Sequence, residues 1–146
     1  LYQNRISDIS PLSNLTNLAS LTLHDNEISD LSHIATLTKL GYLTLFGNQI
    51  SDISALANLT NLTRVDLYHN GISDLTPLAD LTKVELITLM HNQISDVSPL
   101  LSLSGLDTAN AVDLRGNPLS KTSINVYIPQ LEQRGLHIIW DSQTTP

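Results

Sequence analysis

The chain contains no cysteine, one tryptophan, one phenylalanine, one methionine, and only seven lysines and arginines among 146 residues. Each scarcity removes a class of explanation. Without cysteine there is no disulfide framework and no thiolate chemistry. The few scattered cations form no basic stripe able to neutralise phosphates, which argues against nucleic acid as a partner. No apolar run approaches the roughly 18 residues of a membrane-spanning helix, so membrane insertion is not expected. Nucleophile elbows, phosphate loops and paired metal motifs are also missing, so no catalysis and no cofactor are expected.

Against these absences stands one periodicity. Asparagine recurs every 22 residues, at Asn4, Asn26, Asn48, Asn70 and Asn92, inside the frame Leu-x-x-Leu-x-Leu-x-x-Asn-x-Ile-x-Asp. The frame is carried by Leu18, Leu21, Leu23, Asn26, Ile28 and Asp30, and again by Leu40, Leu43, Leu45, Asn48, Ile50 and Asp52. A last unit keeps it at Val112, Leu114 and Asn117, but Asn117 follows Asn92 by 25 residues, so three residues are inserted around positions 105–110. A period of this length with this pattern predicts an α/β solenoid, a right-handed leucine-rich repeat superhelix with a parallel concave β-sheet and short 3-10 or helical convex turns. The organisation expected is repeats over 1–104 with an incomplete first unit, an irregular last repeat over 105–119, a helix-plus-strand cap over 120–141, and a linker-like tail at 142–146.

The formal charge of −7 invites an electrostatic reading, yet five of the fourteen acids form the repeat column Asp8, Asp30, Asp52, Asp74 and Asp96. Most of the acidity therefore belongs to the framework. In Leu21-Thr22-Leu23 and its equivalents, alternation marks a short strand with leucines inward. The asparagine that follows can donate to and accept from the backbone of its own and the adjacent coil. Next comes a convex turn with Pro11, Pro77 and Pro99 at its start, capped either by Ser10, Ser32, Ser54, Thr76 and Ser98 or by the aspartate column. Leu15, Leu37, Leu59, Leu81 and Leu103 then continue the inward column.

At the beginning, Leu1 already occupies the last inward strand position of a unit, and an N-terminal cap is expected to come from elsewhere, which leaves self-association at an uncapped edge as a possible partner contact. At the other end, Ile124, Tyr127, Ile128 and Leu131 have helical spacing, a start among Ser120, Thr122 and Ser123, and a stop at Gly135. Pro129 predicts a kink or an early end. Leu136 to Trp140 alternates as a final strand, with Trp140 over the end of the core.

The motif Leu-x-x-Leu-x-Leu-x-x-Asn-x-Ile-Ser-Asp-Ile-Ser-Pro-Leu, held from Leu1 to about Leu103, resembles the 22-residue repeats of the bacterial internalin family. The segment from Gly116 to Trp140 departs from it, looking like a terminal cap rather than the immunoglobulin-like extension of internalins. The resemblance implies a secreted or surface-exposed bacterial protein whose concave sheet binds another protein.

Outward strand positions are free of the core constraint and carry whatever specificity the module has. The column after the last strand leucine reads Tyr2, His24, Phe46, Tyr68, Met90 and Arg115, with Tyr42, Arg64 and Leu86 beside it. One reading is a recognition surface for a protein or peptide, anchored by Tyr42, Phe46 and Tyr68 with Arg64 as a polar clamp. The plainer reading is that aromatics suit solvent-facing strands. Two alternatives stay open: carbohydrate binding, with the rings stacking on sugars while Asp66 or His69 accepts hydroxyls, and a spacer or self-assembling unit. The next column is Gln3, Asp25, Gly47, His69, His91 and Gly116. His69 and His91, one coil apart, could share a metal with Asp66, but without a clear third ligand no metal site is expected.

Overall fold

The computed structural model describes residues 1–106, 108–109 and 111–141. The tail expected at 142–146, and Asp107 and Asn110 of the insertion, lie outside these. Four three-residue strands, β1 (Ser20–Thr22), β2 (Tyr42–Thr44), β3 (Arg64–Asp66) and β4 (Leu86–Thr88), form a parallel sheet in sequence order. Its register pairs residues 22 apart: Leu21, Leu43, Val65 and Ile87 lie side by side. Strands β5 (Ala111–Asp113) and β6 (His137–Ile139) form a second parallel pair. Among the described residues the strand pairing is thus interrupted between β4 and β5, where the three extra residues fall, although His91 N–H still donates to Arg115 O at 2.8 Å. The opposite edge of the coils carries 3-10 turns at Ser10–Leu12, Ser32–Ile34, Ser54–Leu56, Thr76–Leu78 and Ser98–Ser102. Between the two walls the repeated leucines, isoleucines and valines are buried as one continuous core.

Each turn after a strand would bury unpaired main-chain groups, and the asparagine column pairs them. The Oδ1 atoms of Asn26, Asn48, Asn70, Asn92 and Asn117 each accept the N–H of an isoleucine in the preceding coil (Ile6, Ile28, Ile50, Ile72 and Ile94), all at 3.0 Å. The Nδ2 of Asn48 donates backward to Leu23 O at 3.1 Å and within its own coil to Leu45 O at 2.9 Å and Phe46 O at 3.3 Å. Two amide hydrogens serve three carbonyls, so one bond is shared. Asn117 repeats the pattern onto Leu89 O at 2.9 Å, so this ladder crosses the break in the sheet. The Asn4 carboxamide, exposed, donates to Tyr2 O.

The convex turns are capped by the aspartates. Oδ1 of Asp8, Asp30, Asp52, Asp74 and Asp96 accepts the N–H of the residue two on, each at 2.8 Å, and no 3-10 turn has a cap from its own N-cap side chain. The serine and threonine column occupies the first turn position, where its N–H is what needs a partner. Leu15 departs from the inward column and is exposed.

The C-terminal helical stretch covers 121–133. Of its three candidate starts Ser120 is the cap, its Oγ accepting Ser123 N–H at 3.1 Å. Pro129 neither ends nor breaks the stretch. The preceding turn widens into a π-helix at Ser123–Tyr127, and α1 (Ile128–Gln133) follows with the proline in its first turn. The wide turn relieves the clash between the ring and the carbonyl four residues back. Gly135, at φ +87°, stops the helix, and Leu136 N–H returns to Leu131 O. Trp140, half-buried, packs on the core.

Replacing Asn48 by alanine strands Ile28 N–H and leaves the Leu23 and Leu45 carbonyls only the Asn26 and Asn70 carboxamides, and we expect a loss of about 1–3 kcal/mol in urea unfolding with an unchanged m-value, against under about 0.5 kcal/mol for Asn4→Ala. The backbone N–H bonds hold the Asp8 and Asp30 carboxyls below the ordinary 3.8, and the Thr76 hydroxyl followed by its N–H does so for Asp74. A depressed folded-state pKa stabilises fully above the unfolded value and is lost as pH falls through the folded one. Melting temperature should therefore decline below about pH 4, and Asp74→Asn, less stable at neutral pH, should show a smaller decline.

Candidate functional site

Register sets the geometry of the concave wall. Because equivalent residues sit one above another at about 4.8 Å spacing, the column after the last strand leucine brings its rings into contact. Tyr2 stacks on His24 with centroids 4.7 Å apart, His24 on Phe46 at 4.3 Å, and Phe46 on Tyr68 at 4.4 Å, with interplanar angles of 11–13°. Met90 continues the column, half-buried. Near-parallel rings at these separations are compatible with the offset stacking that aromatic pairs favour, and the coil register is what brings four of them into one row.

The stack has a consequence for what can bind. Both faces of Phe46 and His24 are covered by neighbours, leaving their edges to solvent. Stacking a sugar on Phe46, one of the expected modes, is therefore closed. Tyr42, 50% exposed, is the ring that stands apart from the pile, with the Arg64 guanidinium 5.6 Å from its centroid. Burial, followed by the charges of Asp66 and Asp25, pushes the Tyr68 hydroxyl above its ordinary value.

Beside the pile lies a depression of ≈ 250 Å³ lined by Tyr42, Thr44, Arg64, Asp66, Leu86 and Thr88. The Thr88 hydroxyl donates to Asp66 Oδ1. Thr44 and Thr88 were not singled out from sequence. Their signal is position: they share the second outward strand column with Asp66. At the far end Asp113 is held below its usual range by the Arg115 side chain, which bonds both its oxygens.

The next column is a backbone feature. Gln3, Asp25, His69 and His91 have φ of 53–57°, and Gly47 and Gly116 have φ of 66° and 71°. All six sit in the left-handed region, where glycine is strain-free and other residues are not. Four side chains are thus presented at the rim despite a backbone penalty. Asp25 Oδ2 lies 3.1 Å from His24 Nδ1 and so orients a ring of the pile. The His69 and His91 rings are 6.1 Å apart and tilted by 57°, in a second depression with Asn70, Asn92, Gln93 and Gly116. Asp66 is not among its walls, and no group of three or more His, Cys, Asp or Glu able to hold a metal occurs among the described residues. The structure therefore brings Tyr2, His24, Phe46, Tyr68 and Met90 into one row, Tyr42, Arg64 and Asp66 into a depression on one side, and His69 and His91 onto the rim on the other.

His69→Gly should raise stability by up to about 1 kcal/mol in thermal or urea unfolding. Gly47→Ala should lower it by about as much, since the left-handed backbone there strains any residue with a Cβ, while the Asp25 carboxylate can swing aside.

The leucine-rich repeat family (two copies) matches residues 1–36 and 38–81, more than half of the chain. No curated protein matches. Among solved structures, internalin C2 of Listeria monocytogenes is 34% identical, with a TM-score of 0.73, over 97% of this chain and 69% of that one. Another internalin of Listeria monocytogenes is 28% identical with a TM-score of 0.68, over 94% of this chain and 45% of its own length. A leucine-rich repeat protein of Leptospira interrogans is 26% identical with a TM-score of 0.82, and the match spans 35% of it. With the repeat frame, the parallel sheet and the asparagine ladder, these likenesses establish that the chain belongs to the internalin-like family of leucine-rich repeat proteins.

Proposed function

We propose that the chain is a non-catalytic module that binds a protein or peptide on its concave face, acting as a secreted or cell-surface interaction protein. Leucine-rich repeat proteins are in general interaction modules without enzymatic activity, and solenoid curvature gives them extended concave surfaces. The observation that carries the proposal is the ring pile: Tyr2, His24, Phe46 and Tyr68 form a rigid apolar ridge across four coils, held by packing before any ligand arrives. Pre-ordered aromatic side chains lose little freedom on binding and make strong anchors. Edges rather than faces are offered, which suits side chains and carbonyl oxygens of a polypeptide laid along the ridge better than sugar rings. Tyr42 and Arg64 on one side, and Asp25, His69 and His91 on the other, supply the polar margin. The secreted or surface location rests on likeness to the Listeria internalins.

The test is affinity capture of extracellular proteins on immobilised wild-type chain and on the Phe46→Ala, Tyr68→Ala double variant. The expected result is a partner retained by the wild type and lost by the variant, with the variant still melting cooperatively. Retention by both at equal affinity would end the concave-face reading.

A further inference from the structure

We infer that Asn70–Gly71 is a latent self-modification site, locked in the folded coil and released when that coil opens. It is the single Asn-Gly pair in the sequence, the other ladder asparagines being followed by Arg5, Glu27, Gln49, Gln93 and Pro118. An asparagine before glycine can cyclise because no side chain hinders approach of the next main-chain nitrogen. The Gly71 nitrogen, having lost its proton to solvent base, bonds to Asn70 Cγ as the carboxamide nitrogen leaves as ammonia. One water then opens the five-membered imide to aspartate or isoaspartate, so the net change is one water consumed and one ammonia released.

In the folded protein both reacting groups are held apart from this path. Gly71 N–H donates to Ile50 O at 2.8 Å. The Asn70 carboxamide donates to Leu45 O at 3.1 Å, Leu67 O at 3.2 Å and Tyr68 O at 3.4 Å, and accepts Ile50 N–H at 3.0 Å. Cyclisation needs all of these broken, and so needs the coil to open. The glycine itself is not a demand of the fold: its φ is not positive, and a Cβ there would make only ordinary contacts, 3.5 Å to Ile50 O and 3.9 Å to Ser51 Cβ. Glutamine fills the same repeat position at Gln49 and Gln93.

The product cannot refold into the same arrangement. A carboxylate at position 70 has no N–H for the Leu45, Leu67 and Tyr68 carbonyls, and isoaspartate lengthens the main chain inside the turn. The affected coil carries Tyr68 and His69, so a transient opening becomes a lasting defect beneath the ring pile.

The experiment incubates the wild-type chain at mildly alkaline pH in buffer and in concentrated urea, with mass-spectrometric mapping and isoaspartate quantification at each asparagine. Expected are conversion at Asn70 ahead of every other asparagine in urea, at least ~100-fold slower conversion in buffer because only the opened state reacts, and loss of the cooperative transition in converted chains returned to buffer. Gly71→Gln should retain the folded transition and show no such conversion in urea. Equal rates in buffer and urea, conversion of another asparagine first, or undiminished conversion in Gly71→Gln would each overturn the inference, and the wild-type comparison decides even if the variant fails to fold.

Discussion

A coil that reverses direction every 22 residues must bury main-chain groups at each turn, and the asparagine ladder is what makes that burial tolerable. One carboxamide per coil both accepts from and donates to the coil before it, so each asparagine ties two coils together as well as closing its own turn. Strand pairing is the more visible link, yet among the described residues it lapses between β4 and β5, where Asn117 holds Ile94 and Leu89 and Arg115 O accepts His91 N–H. The ladder is therefore the side-chain element that runs unbroken from coil to coil.

A fixed register turns repeat positions into rows. Side chains one period apart are brought side by side, which is why four rings pile at 4.3–4.7 Å. The same constraint places a left-handed residue at the start of every turn after the strand. Glycine would satisfy it everywhere, but Asp25, His69 and His91 stand there instead. The concave rim thus carries chemistry that the backbone opposes, the pattern expected where side chains have been kept for something other than stability.

Much of this was legible in the sequence because a 22-residue period determines which residues are neighbours. The strands, the role of asparagine and the aromatic row all follow from spacing alone. Other features depend on local geometry that spacing does not reach. Serine and aspartate are both good caps two residues apart, and only the backbone direction decides that the aspartates act. The left-handed column was signalled by Gly47 and Gly116, but Gln3, Asp25, His69 and His91 at the same position masked it. That the rings face each other rather than a ligand depends on side-chain rotation. The π-turn before Pro129 is a relaxation that sequence rules describe only as a break.

Native-state hydrogen exchange of the isoleucine amides that donate to the ladder tests its primacy most directly. Ile50 and Ile72 belong to coils whose strands pair with the next, while Ile94 reaches Asn117 across the interruption. If the ladder is the continuous element, the Ile94 amide exchanges only on global unfolding, as slowly as those of Ile50 and Ile72. Exchange at Ile94 faster by orders of magnitude, with Ile50 and Ile72 still protected, would show that strand pairing is what holds the coils and that the asparagines only decorate it.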